Sequence, residues 1–196
     1  MKHTVVLLLT LLFGCGESKA LLTTPACPDG ARWAPADLPI ALFVRPEAQH
    51  LEEEVDAAVS FFARPHLFSS LGVAELVSAG SIVEVTEEGG IDEQHGWTTL
   101  TVDTTCRIHG AHIKLDRNFV SPRAHQRALT HELGHTLGFR HEHTRPEAGT
   151  CFEDNSWRAL TTYDSASVMH YPQCNGSQTG DLVITTKDVQ GIQALY

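Results

Sequence analysis

Three histidines and a glutamate stand close together at spacings that chemistry can use: His131, Glu132, His135 and His141. On a helix, residues i and i+4 share one face a turn apart, so the His131 and His135 imidazoles can hold one zinc ion. Glu132 lies beside them, close enough to take a proton from a water at the metal without being a ligand itself. Gly138 comes three residues after His135 and lets the chain turn sharply off the helix. His141 comes three residues later and can swing back as the third ligand. Three neutral imidazoles and an open position make a hydrolytic zinc centre the chemistry to expect.

The full string is H-E-x-x-H-x-x-G-x-x-H from His131 to His141, and it resembles the signature of the metzincin zinc proteases. A second element agrees. Tyr163 to Pro172 (YDSASVMHYP) resembles the metzincin Met-turn in its astacin form. The resemblance implies that Met169 forms an apolar floor below the histidines and that Tyr171 stands beside the metal. Gly138 to Arg145 (GFRHEHTR) is astacin-like, whereas Asp188 to Tyr196 and the opening Arg32-Trp33 are similar to matrixins.

What the resemblance implies is an α+β chain with the metzincin-type zincin fold. A mixed twisted sheet and two long helices would make an N-terminal lobe, and a small irregular C-terminal lobe would carry a final helix. The implied activity is zinc-dependent endopeptidase action on protein or peptide substrates with one catalytic Zn2+. Glu132 would be the general base, and Tyr171 would assist zinc at the oxyanion. An edge strand such as Trp97–Asp103 could hold an extended substrate by main-chain hydrogen bonds. In astacins the glutamate after the third histidine meets the mature N-terminus, and Glu142 matches that position. A zinc hydrolase of small or cell-wall peptides uses the same residues. A non-catalytic surface lipoprotein of this fold would be marked by a lost ligand or a lost Glu132, and all are in place.

With 196 residues the chain is long enough for one domain with a real core. A formal charge of −10 argues against nucleic acid as a partner, and the chain reads as a monomer. Residues 1–20 read as a signal segment: Lys2 precedes an apolar run from Val5 to Phe13. That run is far short of the roughly 20 residues that span a bilayer. Leu12-Phe13-Gly14-Cys15 resembles a bacterial lipoprotein signal, in which Cys15 is lipidated and becomes the mature N-terminus. Cleavage after Ala20 is the other reading. The protein is therefore expected to be exported, either tethered at an outer membrane or cell surface by its lipid or secreted. Residues 21–32 read as a tether and 33–196 as the catalytic domain.

Either route removes Cys15 from the disulfide count. Cys27, Cys106, Cys151 and Cys174 remain, an even set in an exported chain. Of the three pairings we favour Cys151–Cys174, which leaves Cys27–Cys106.

The elements that must position the site follow from periodicity. Pro39–Val44, Ser81–Thr86, Trp97–Asp103 and Ala111–Asp116 read as strands, with a loop over Glu87–Gly96. Glu47–Arg64 reads as a helix through Leu51, Val55, Val59 and Phe62. A second helix begins after Ser121-Pro122, carries Leu129, Leu133 and Leu137, and stops at Gly138. Arg145–Ser167 is loop-rich, and a last helix runs from Thr185 or Thr186 to Tyr196. Of the other histidines, His95, His109 and His112 fit a second zinc poorly. His143 and His170 flank the site, and His50, His66 and His125 read as surface.

Overall fold

Buried and half-buried positions alternate along all of Gly96–Val102, the period of two that a strand with one covered face requires. Around such strands the chain builds a mixed sheet. The computed structural model describes residues 9–13, 21–22, 27, 30–62, 67–70, 82–88, 96–118, 122–178 and 183–196. The strands are β1 (Leu9–Phe13), β2 (Leu21–Leu22), β3 (Ile40–Val44), β4 (Phe68–Ser70), β5 (Ile82–Glu88), β6 (Gly96–Val102), β7 (Ile108–Asp116) and β8 (Trp157–Arg158). Six of them form one sheet in the order β1-β6-β7-β5-β3-β4, and β2 pairs with β8. β4, β3, β5 and β7 run parallel, while β6 is antiparallel to β7. The far side of β6 carries β1, antiparallel, from Leu9 opposite Val102 to Phe13 opposite Thr98.

Among the described residues, three α-helices accompany the sheet: α1 (Glu52–Phe61), α2 (Pro122–Thr136) and α3 (Thr186–Leu195). α1 packs on α2, and α2 packs on β6 and β7. Leu129, Leu133 and Leu137 enter a core with Val83, Val85, Leu100, Ile113 and Leu115 of the sheet and Val55 and Ala58 of α1. The C-terminal end of α2 is held by Trp33 and by the C-terminal Tyr196. Trp33 Nε1 donates to Thr136 O at 2.7 Å, and the Tyr196 hydroxyl donates to Leu137 O at 2.8 Å. These bonds satisfy carbonyls that the end of a helix leaves without partners.

Several expectations need correction. The helix expected from Glu47 starts as a 3-10 turn over Pro46–Leu51. That turn buries Ala48 and Leu51, three residues apart, before Val55 and Ala58 take up the α-helical spacing. β5 runs through Glu87 and Glu88, and β6 begins at Gly96, so the expected loop shortens at both ends. β7 is longer than expected because the turn before it is tight. Asp103 Oδ1 accepts from the N–H groups of Thr105 and Arg107, and pairing starts at once at Ile108. The expected N-cap Ser121 lies outside the described residues.

The stretch read as a tether, 21–32, makes several contacts. Leu21–Leu22 pairs with β8, Cys27 is bonded to Cys106, Ala31 is buried, and Arg32 bridges Arg107. The disulfide and the bridge dock Cys27 and Arg32 beside the start of β7. Cys15 lies outside the described residues. Among the described residues no helix is long and apolar enough to cross a membrane.

Candidate metal centre

α2 presents His131 and His135 on one face, both 4% exposed. The helix then ends in a Schellman turn. Gly138 N donates to His135 O at 2.9 Å and Phe139 N donates to Gly134 O at 3.2 Å. Gly138 has φ +91°, a left-handed conformation open to glycine and strained for other residues. The turn sends the chain back so that His141, 1% exposed, faces the other two histidines.

Hydrogen bonds set the orientation of each imidazole. His131 Nδ1 lies 2.9 Å from Val168 O, and His135 Nδ1 lies 2.9 Å from Phe139 O. His141 Nδ1 lies 3.3 Å from Glu153 Oε1. Carbonyl and carboxylate oxygens only accept, so each Nδ1 carries the proton and each Nε2 keeps its lone pair. His131 Nε2 and His141 Nε2 then stand 3.3 Å apart, lone pair against lone pair. A tetrahedral zinc with Zn–N near 2.0–2.1 Å separates its nitrogens by about 3.4 Å. One ring nitrogen from each of the three histidines lies within 4.8 Å of the others. The residues fit a zinc ion in number, type, protonation and spacing.

Glu132 is 4% exposed. Its Oε2 accepts from Thr98 Oγ1 of β6 at 2.6 Å. Gly96, on the same strand, makes room for it: a Cβ there would lie 2.8 Å from Glu132 Cγ. The site is therefore closed on one side by β6. On the other side stands Tyr171, its ring 5.5 Å from that of His131 at an interplanar angle of 19° and 4.2 Å from that of His141.

Met169, 6% exposed, lies against α2 at Gly134. A Cβ on Gly134 would fall 2.5 Å from Met169 Cε and nearer still to Sδ. The Met-turn is fixed from behind by Asp188. Its Oδ2 accepts from Val168 N at 3.0 Å, its Oδ1 accepts from Ser167 Oγ, and its backbone N–H is capped by Thr185 Oγ1. Glu142 N donates to Met169 O at 2.9 Å, tying the segment after His141 to the same turn.

Burial pushes the Glu142 carboxyl up to about 7, against the pull of Arg145. Arg145 Nη1 donates to Glu142 Oε1 at 3.0 Å, and so does Asp164 N at 2.9 Å. The cation beside this glutamate is thus an internal arginine. A pocket behind the Met-turn is lined by Glu142, Met169 and Asp188, among others, and by none of the three histidines.

The two disulfides join Cys27 to Cys106 and Cys151 to Cys174, with Cα atoms 5.5 and 5.6 Å apart. His143 and His170 are both buried. His170 Nε2 is bonded to the Tyr163 hydroxyl at 2.7 Å. His109 and His112 are apart from the site, bonded to Asp103 and Thr86. His50 is exposed. Sequence reading passed over Gly96, Thr98, Gly134, Glu153 and Asp188. Only Gly134 carried a local signal, a glycine inside a helical pattern.

No protein-family model matches the chain. The chain is 32% identical over 79 residues to Blastula protease 10 of Paracentrotus lividus, a match that covers 31% of this chain and 13% of that protein. The matched part thus spans only a small fraction of that curated relative. The fold resembles high choriolytic enzyme 1, a hatching enzyme zinc-protease from Oryzias latipes. That likeness has a TM-score of 0.51 and 16% identity and covers 83% of this chain and 94% of the other. It also resembles myroilysin, with a TM-score of 0.51 and 17% identity over 80% of this chain and 91% of the other. The chain thus has the α+β fold of these two proteins, with H-E-x-x-H-x-x-G-x-x-H from His131 to His141 at its centre.

Proposed function

We propose that the protein is a zinc-dependent endopeptidase in which His131, His135 and His141 hold one Zn2+. The observation that carries this reading is the set of three imidazoles whose Nδ1 atoms are all bonded to other groups, with one ring nitrogen of each lying within 4.8 Å of the others. The protease names of the sequence relative and of the hatching enzyme support the same activity. When bound, zinc lowers the pKa of a coordinated water toward ~7 and polarises the substrate carbonyl. Glu132 takes the proton from the attacking water and passes it to the leaving amine. The Tyr171 hydroxyl donates to the oxygen on which negative charge develops. Thr98 and Gly96 hold the Glu132 carboxylate at the edge of β6. Met169 fills the floor without offering a competing charge.

Substrate would lie extended along β6. β1 belongs to the segment that either export route removes, and its antiparallel run of five residues on β6 supports that placement: with β1 gone, an extended peptide can use the same main-chain groups. Export is part of the proposal, through lipidation at Cys15 or cleavage after Ala20. Two disulfides support an oxidising compartment. The deciding experiment incubates the purified protein with a peptide library, with and without a zinc chelator. Chelator-sensitive cleavage that returns with added zinc is the expected result. A zinc-loaded protein that cleaves no peptide overturns the endopeptidase reading.

A further inference from the structure

We propose that Glu153 is a positioning residue of the metal centre. Its carboxylate Oε1 accepts from both His141 and His143, aiming the third imidazole at the metal and, through His143, locating Tyr171. The proposal rests on the zinc reading above and assigns a role to a residue outside its motifs.

The first two ligands are oriented by backbone carbonyls, Val168 O and Phe139 O. His141 is instead oriented by a side chain from twelve residues further along the chain. Glu153 Oε1 lies 3.3 Å from His141 Nδ1 and 2.9 Å from His143 Nε2. Donation from His143 Nε2 leaves its Nδ1 free to accept, and Tyr171 N donates to it at 3.4 Å. The His143 ring stacks on His141 at 4.6 Å and 21°, and against Tyr171 at 4.7 Å and 30°. One carboxylate therefore sets a ligand and the segment that carries the oxyanion donor. A carboxylate accepting from a ligand imidazole fixes its tautomer and raises its basicity.

Glu153 is held for this task. The Cys151–Cys174 disulfide pins the chain two residues before it to the end of the Met-turn segment. Asp154, the next residue, is gripped by the buried Arg140 through bonds of 2.7 and 2.9 Å. The Glu153 side chain is only 10% exposed. Its Oε2 is buried without a hydrogen bond, the Arg140 Nη2 cation lying 4.0 Å away. Leaving a buried carboxylate oxygen unsatisfied works against stability. The arrangement is accounted for by what Oε1 does at the two histidines.

The test compares wild type with Glu153→Gln, which keeps the shape but weakens the acceptor, and with Glu153→Ala. Zinc affinity is read by competition with a chromogenic chelator, and ligand geometry by the visible spectrum of the cobalt-substituted protein. Unfolding of the metal-free proteins reports stability separately. The expected result is a zinc Kd raised about 10-fold in Glu153→Gln and up to about 100-fold in Glu153→Ala, with an altered cobalt spectrum. A Kd within threefold of wild type and an unchanged spectrum in Glu153→Gln overturns the proposal, whatever happens to stability. A wild-type protein that takes up no zinc instead overturns the zinc reading itself.

Discussion

Gly134→Ala sets two opposed effects against each other inside α2. In a helix, alanine is more stable than glycine by about 1 kcal/mol, so propensity alone favours the substitution. The structure puts a cost against it. The new Cβ would lie 2.5 Å from Met169 Cε, where carbon–carbon contacts settle at about 3.5–4.0 Å. The thioether must retreat by on the order of 1 Å among residues that are themselves buried, and overpacking of this kind costs about 1–3 kcal/mol. The single substitution should therefore destabilise by roughly 0–2 kcal/mol. Met169→Ala alone should cost about 2–5 kcal/mol through the cavity it leaves. Once the thioether is gone, only the propensity term remains, so Gly134→Ala should then stabilise by about 1 kcal/mol. Urea unfolding of the four metal-free proteins closes the cycle and should give a coupling of about 1–3 kcal/mol. If Gly134→Ala has the same effect in both backgrounds within about 0.5 kcal/mol, the two residues do not compete for the same space and the floor is built otherwise.

Glu132→Gln should retain zinc, measured by metal analysis, and lower kcat on a cleaved peptide by about 10²–10⁴-fold, since an amide cannot take up the proton. Tyr171→Phe should lower kcat by about 10–10³-fold with little change in KM, because the hydroxyl acts where charge develops; an unchanged kcat would reduce Tyr171 to packing. The Arg107 guanidinium holds the Asp37 carboxyl below its ordinary value of 3.8. The stability this pair adds is present above that value and lost as pH falls through the folded-state pKa. Asp37→Asn should thus cost up to about 1 kcal/mol at pH 7 and progressively less as pH falls below 3.8, read from urea midpoints at each pH.

The three clustered histidines, the glutamate among them and the turn that brings them together were legible in the sequence because they are local. His131, Glu132 and His135 need only one helical turn, and Gly138 needs only the left-handed backbone that ends the helix. The strand and helix order followed from period-two and helical spacing, and the two cysteine pairs agreed with the favoured pairing. Local signals ran out where elements from distant parts of the chain meet. Nothing in the sequence near Glu132 points to Thr98, thirty-four residues earlier, because the pairing exists only once β6 packs beside α2. Glu153 looked like an ordinary loop acid, and becomes a partner of two histidines only when a disulfide and the Arg140–Asp154 pair fold its loop back. Asp188 belongs by sequence to the matrixin-like ending, yet its carboxylate holds the Met-turn from twenty residues away. Spacing along one element determined which residues could bind a metal. Packing between elements decided how each imidazole is aimed, because hydrogen bonds and excluded volume between distant residues come into being only when the chain is folded.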